Sequence, residues 1–189
     1  VWAIEDLRKR ILNTLLFLSI YVLGTHIVLP GIDTSVLAEA NKLRGDLNPL
    51  NLIDQFTGGA FSKASIFSLG VMPYITASIV IQLLGMAVPQ FQKLQKEGES
   101  GRKKLQTYTK LLTIVVTTFQ VQGYIGLYVK PSKAIVNSDG ITGGNPDIFW
   151  WITTTLIVVA STMFIMWLGE KITEKGIGNG VSLLITVGI

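Results

Sequence analysis

Long uncharged apolar stretches alternate with short polar segments along this chain. Four stretches contain no Asp, Glu, Lys or Arg: residues 11–29, 64–92, 111–129 and 148–169. A helix needs about 20 such residues to cross the hydrocarbon core of a membrane. The pattern therefore predicts membrane-spanning helices at about residues 11–29, 66–89, 111–129 and 148–168, and the start of a fifth from Val181.

The composition agrees with a membrane protein. Of the 189 residues, 49% are hydrophobic and only 15% are charged, and the mean hydropathy is +0.49. Soluble domains carry about 25% charged residues. The chain opens on Val1, and its fifth apolar stretch stops at Ile189 after about two helical turns. We therefore expect it to be part of a longer protein.

Basic residues are concentrated on one side of the predicted helices. Three precede the first helix, at residues 8–10, and six lie between the second and third: Lys93, Lys96, Arg102, Lys103, Lys104 and Lys110. The segments on the other side, residues 30–63 and 130–147, balance their basic residues with acids. By the positive-inside rule, the N-terminus is predicted to be cytoplasmic and residues 90–110 to form a cytoplasmic loop.

This basic loop has two interpretations. It is either a docking surface for a negatively charged partner, such as ribosomal RNA or lipid head groups, or a solvated loop that only sets the topology. No specific nucleic-acid motif accompanies it.

The second apolar stretch is broken near its start. Gly58 and Gly59 precede it, and Gly70 and Pro73 interrupt it. Irregular backbone at membrane depth is tolerated only where it is buried in protein or lines a watery cavity, so the break indicates a conduit or a binding site. Just before it, residues 47–56 carry an apolar stripe that fits either a re-entrant half-helix or a helix on the outer surface.

Uncharged polar residues recur at helical spacing within two predicted spans. On the second span the stripe consists of Val71, Ile75, Ser78, Gln82 and Gly85, and on the third of Thr113, Thr117, Gln120 and Tyr124. Such stripes either line a path or join helices by hydrogen bonds.

The sequence argues against an enzyme. The four stretches hold no acidic or basic side chain of the kind that membrane proteins keep for catalysis or ion coupling. There is no cysteine, the single His26 has no ligand partner at metal-site spacing, and no hydrolase or phosphate-loop signature is present. We expect no catalytic residue, no metal and no cofactor.

Several long strings resemble the SecY family, the central subunit of the bacterial Sec protein translocase. The longest is GGAFSKASIFSLGVMPYITASIVIQLL, and in chain order the others are LRKRIL, LPGID, KEGESGRKKLQTYTK and MFIMWLGEKITEKGIGNGVSLLI. The resemblance covers essentially the whole chain and implies an all-α polytopic membrane protein. The chain would be the N-terminal half of a clamshell helix bundle with a re-entrant plug helix.

The resemblance also implies site residues. The aliphatic pore ring would include Val71, Ile75 and Ile185, where the family often has Ile in place of Val71. The plug region would cover residues 51–63, with Asn51, Ile53, Phe56, Gly58 and Gly59. The lateral gate would include Thr76, Ile79, Gln82 and Gln120. The basic loop would contribute Lys93, Lys96, Arg102, Lys103 and Lys104.

The implied function is a protein-conducting channel. It would pass unfolded secretory polypeptides across the bacterial inner membrane and release transmembrane segments sideways into lipid. Implied partners are SecE-like and SecG-like subunits, the SecA motor or the ribosome, signal sequences and nascent chains. Two alternatives from other classes are half of a secondary transporter, which also uses broken helices, and a membrane scaffold subunit.

Overall fold

The computed structural model describes residues 5–44, 50–136, 143 and 146–188, except for the side chains of Arg44, Leu50 and Asn51. This part of the chain is helical, and its only β-structure is two isolated bridges. The α-helices are α1 Glu5–Thr25, α2 Thr34–Arg44, α3 Leu50–Phe56, α4 Met72–Ala87, α5 Pro89–Lys96, α6 Glu99–Tyr124, α7 Ile148–Lys175 and α8 Gly180–Gly188. A π-helical turn, Ile125–Val129, and a 3₁₀ turn, Lys130–Ser132, extend α6.

Two of the described helical segments are long and apolar enough to cross a membrane, Glu99–Ser132 and Ile148–Lys175. A third is added if the bent pair Met72–Ala87 and Pro89–Lys96 counts as one span. The all-α fold class is thus confirmed for the described residues. Helix α1 begins earlier than the predicted span, with charged first turns from Glu5, and it ends at Thr25 rather than at Leu29, so its apolar part is shorter than predicted.

The second apolar stretch differs most from its prediction. Residues 57–71 form consecutive turns, and helix α4 begins only at Met72. Gly58, Gly59 and Gly70 all have positive φ, which a helix does not allow. Backbone groups in these turns are satisfied by the chain beyond α1: Leu29 N–H donates to the Ala64 carbonyl at 2.9 Å, and Ile66 N–H donates to the Ile27 carbonyl at 2.8 Å.

The predicted cytoplasmic loop is mostly helical. Pro89 cannot continue α4 and forces Val88 into an extended conformation, with φ −109° and ψ 121°. Helix α5 therefore starts at an angle of 100° to α4. A turn at Gly98, with φ 71°, leads into α6, so residues 90–110 comprise α5 and the first turns of α6 rather than an irregular loop.

Helix α7 runs antiparallel to α1 and α6, as contacts near its two ends show. At the basic end, Lys110 on α6 lies 2.7 Å from Glu170 on α7, and Arg10 on α1 donates to the Gly176 carbonyl. At the opposite end, Trp150 at the start of α7 donates to the Pro30 carbonyl at 3.0 Å. One apolar core lies near this second end, and another lies where α1, α7 and α8 meet the turn segment 57–71.

Candidate functional site

The three residues expected in the aliphatic ring lie in one apolar cluster. Val71 precedes α4 and is 4% exposed, Ile75 follows one turn later, and Ile185 comes from α8. Ile75 and Ile185 are partly buried and pack against the same core as Val71. The fold thus brings together branched aliphatic side chains from two helices that are more than 100 residues apart in sequence.

The first half of the expected plug region is the short helix α3. Ile53 packs against the core, whereas Phe56 at the helix end is 47% exposed. The side chain of Asn51 lies outside the described residues. The chain after Phe56 passes close to the end of α8, so that a Cβ added to Gly188 would lie 3.0 Å from the Phe56 carbonyl oxygen. The plug region therefore contacts the helix that carries Ile185.

Side-chain hydrogen bonds join α3 to the turns that follow it. Asp54 accepts a hydrogen bond from the Ser62 N–H at 2.8 Å. The Thr57 hydroxyl is fully buried and accepts from the Phe61 N–H at 3.2 Å. Residues 53–62 are consequently tied together as one unit.

An aromatic cluster fixes the end of this unit against α6. The ring of Phe61 lies 4.8 Å from Tyr124 and 4.7 Å from Tyr128, measured between centroids, and the two tyrosine rings are 5.4 Å apart. All three side chains are at most 6% exposed. We call Phe61, Tyr124 and Tyr128 the plug seat. Of these three residues, only Tyr124 was singled out from the sequence, as part of the polar stripe on the third span. The one local signal that could have indicated the cluster is the pair of tyrosines four residues apart, next to Gly123 and Gly126.

The expected gate residues on α4 lie on an exposed side of this helix. Thr76 and Gln82 are exposed and Ile79 is 51% exposed. Their polar groups bond within α4: Thr76 donates to the Met72 carbonyl at 3.1 Å, and Gln82 donates to Ser78 at 3.2 Å. This side of α4 is unpartnered within the described residues.

Gln120 on α6 borders a cavity of about 310 Å³ between the plug seat and the start of α4. Its Oε1 atom is buried, and no hydrogen-bond partner for it is present within the described part of the chain. Apolar side chains form most of the wall, among them Ile53, Leu69 and Met72. The cavity thus lies where the plug region, α4 and α6 meet.

The threonine stripe on α6 packs rather than lining a path. Thr113 and Thr117 are fully buried, and each donates at 2.7 Å to the carbonyl four residues earlier. Small residues on α4, Ala77 and Gly85, are buried as well. Helices α4 and α6 pack along much of their length, and small and threonine side chains are typical of such close contacts in membrane helices.

The expected basic residues cluster on α5 and the start of α6. Lys93, Lys96 and Arg102 are exposed. Lys103 lies 3.5 Å from Glu99, and Lys104 lies 3.6 Å from Glu97. Two of the five positive charges thus have nearby acidic partners, and the other three are available to a negatively charged partner or to solvent.

Comparison with known proteins gives consistent matches. The SecY family matches residues 65–189. "Protein translocase subunit SecY" of Escherichia coli K12 is 43% identical over 99% of this chain and 41% of its own length. The protein of the same name from Aquifex aeolicus is 44% identical over 100% of this chain and 43% of its own length. The chain therefore spans about two fifths of these relatives.

Solved structures match the fold at low sequence identity. "The structure of a protein conducting channel" aligns with a TM-score of 0.68 and 19% identity over 96% of this chain and 36% of that chain. "Sec61 in the Canine ribosome-channel complex from the endoplasmic reticulum" aligns with the same TM-score, identity and coverage. Together with the family match over most of its residues, these similarities show that the chain belongs to the SecY family and corresponds to the N-terminal part of SecY.

Proposed function

We propose that this chain forms one side of a protein-conducting channel, which passes unfolded secretory polypeptides and releases transmembrane segments sideways into lipid. One observation carries the proposal. In a chain of this family, Val71, Ile75 and Ile185 belong to one apolar core, and the helix that carries Ile185 contacts the short helix α3. The relatives' name, protein translocase subunit, agrees with this function.

The ring residues suit a seal that a polypeptide can pass. Branched aliphatic side chains offer an ion no group that replaces its water of hydration, so an apolar constriction excludes ions by dewetting. The same side chains have no fixed partner to lose when a polypeptide pushes them apart. Val71 is one methylene smaller than Ile and keeps this apolar character.

The plug region and the gate residues would complete the channel. In the closed state, α3 and the turns after it would fill the outer funnel, and the exposed side of α4 with Thr76, Ile79 and Gln82 would face the second half of the protein across the lateral gate. Gln120 would line the same gate from α6. A signal helix that binds there would shift the population toward an open gate and a displaced plug.

Location and partners follow from the same proposal. The protein would lie in the bacterial inner membrane with the basic end in the cytoplasm, in agreement with the positive-inside rule. It would act with SecE-like and SecG-like subunits and with the SecA motor or the ribosome. It would catalyse no reaction itself, because energy for translocation would come from these partners.

Ion conductance tests the channel directly. A full-length SecY chain that carries this sequence would be reconstituted in a planar bilayer, intact and with residues 51–59 removed. Removal of the plug helix is expected to raise ion leakage, because only the apolar ring then remains as a seal. Unchanged conductance with correctly inserted protein would contradict the plug assignment. If the protein were half of a transporter or a scaffold subunit, removal of residues 51–59 would also leave the ion conductance unchanged.

A further inference from the structure

The plug seat is held by hydrogen bonds as well as by ring contacts. The Tyr124 hydroxyl donates to the Phe61 carbonyl at 2.8 Å, and this bond is buried. The same carbonyl also accepts from the Ala64 N–H at 3.2 Å, within the turn segment itself. Loss of the tyrosine hydroxyl would therefore leave the turn and the ring contacts intact and remove only the hydrogen bond from α6 to the turn.

Tyr128 reaches the next residue of the turn both directly, with its hydroxyl 3.4 Å from the Ser62 carbonyl oxygen, and through an asparagine. Its hydroxyl donates to Asn41 Oδ1 at 2.8 Å, and Asn41 Nδ2 donates to the Ser62 carbonyl at 3.3 Å. Asn41 belongs to α2, so three separate elements meet at Ser62. These bonds are partly buried, and connected polar groups of this kind favour one arrangement, because displacement of one member breaks the bonds of the others.

The plug seat connects the plug helix to the gate helix. On one side, Asp54 and Thr57 tie Phe61 and Ser62 to α3. On the other side, Tyr124 lies one turn after Gln120 on α6. Tyr128 lies in the π-helical turn Ile125–Val129. Such turns are rare in proteins overall, and many of those that occur are at functional sites. A movement of α6 therefore displaces the groups that hold the turn.

We propose that Tyr124 and Tyr128 act as a latch that keeps the plug region in its closed position and releases it when α6 moves during gate opening. The inference rests on the proposed function and adds two positioning residues to it. Their effect is exerted on the plug through Phe61 and Ser62.

The test compares two buried tyrosines in full-length protein that carries this sequence, reconstituted in lipid nanodiscs. Tyr124→Phe removes one buried hydrogen bond and keeps the ring. Tyr21→Phe is the matched control, because Tyr21 is 1% exposed and its hydroxyl has no hydrogen-bond partner within the described residues. Hydrogen–deuterium exchange of the amides of residues 57–66 reports how often this segment opens.

We expect Tyr124→Phe to accelerate this exchange about fivefold, which is the effect of losing one net hydrogen bond, and Tyr21→Phe to leave it unchanged. Exchange within α7 should stay the same in both variants, which a general loss of stability would not allow. Equal exchange in residues 57–66 for Tyr124→Phe and Tyr21→Phe would overturn the latch. Tyr128→Phe provides a second variant with the same expected direction if Tyr124→Phe does not accumulate.

Conductance separates the latch from the plug assignment on which it rests. If Tyr124→Phe raises leakage in the intact protein but adds nothing once residues 51–59 are removed, the tyrosine acts through the plug, and the latch is supported. If removal of residues 51–59 raises leakage while Tyr124→Phe does not, the plug stands and the latch is wrong. If removal has no effect, the plug assignment itself fails.

Discussion

The contact between α7 and α8 sets the position of one ring residue, and a single methyl group should disturb it. Gly180 is the first residue of α8 and is buried against α7. A Cβ added there would lie 2.0 Å from the Gly169 carbonyl oxygen and 2.8 Å from Ile172 Cβ. Since the nearest atom belongs to backbone, no side-chain rotation relieves the overlap.

The size of the effect follows from that distance. An ordinary contact begins at 3.4 Å, so α8 must move by about 1.4 Å along this line. Ile185 lies on the same short helix and would shift with it relative to Val71 and Ile75. Overpacking of a close contact costs about 1–3 kcal/mol, and every 1.4 kcal/mol changes a population tenfold. We therefore expect Gly180→Ala to lower thermal stability and to loosen the aliphatic ring.

The assay measures thermal unfolding in detergent and ion leakage in proteoliposomes for full-length protein that carries this sequence. Gly123→Ala is the matched control, because Gly123 lies on α6 and a Cβ there has nothing within 4 Å. Because Ala favours the helical conformation more than Gly does, Gly123→Ala should raise the free energy of unfolding by up to about 1 kcal/mol. If Gly180→Ala matched the intact protein in both measurements, the argument from the α7–α8 contact would be refuted.

Two further predictions concern charged groups outside the apolar core. Asp33 accepts hydrogen bonds from the Ser35 hydroxyl at 2.6 Å and from the Ser35 N–H at 2.9 Å, and these bonds hold the pKa of its carboxyl below the ordinary value. The stabilisation is complete above the ordinary pKa and is lost as the pH falls through the lowered one. The protection of the amides at the start of α2, measured as their exchange rate relative to that of the unfolded chain at the same pH, should therefore fall in acid, and Asp33→Asn should remove this pH dependence. Lys110→Met breaks the ion pair between Lys110 and Glu170, whose side chains are 39% and 36% exposed. Thermal unfolding should show that the free energy of unfolding falls by at most about 1 kcal/mol, and by less at high salt. A fall of several kcal/mol would contradict the solvent screening of this partly exposed pair.

The sequence predicted the long helices well because a membrane-spanning helix depends on the apolar character of about 20 consecutive residues. The uncharged stretch from Ile148 is long enough for a full apolar span, and α7 begins at Ile148 as predicted. It continues past Gly169, where the uncharged stretch ends, to Lys175. The resemblance to the SecY family rested on long strings and is confirmed by the family match. The 100° bend was missed although Pro89 is a local signal, because the apolar stretch continues through it to Gln92.

The site itself depends on contacts between distant residues. The meeting of Val71 with Ile185 and the bond from Tyr124 to Phe61 each join residues more than 60 positions apart. Periodicity on one helix does not encode such pairings. It left open whether the polar stripe on α6 lines a path or joins helices, and burial shows that Thr113 and Thr117 pack in the protein. The ring and plug assignments came from family resemblance, and they remain predictions.

The most direct test asks whether a secretory polypeptide passes the aliphatic ring. The sequence contains no cysteine, so single cysteines would be placed at Ile75, Gln82 and Val80 in an otherwise cysteine-free full-length SecY chain that carries it, and crosslinked to a stalled secretory chain. Val80 lies on the opposite face of α4 and serves as the control. The account predicts crosslinks at Ile75 and Gln82 but not at Val80. Absence of crosslinks at Ile75 and Gln82, with the stalled chain demonstrably engaged elsewhere, would contradict it.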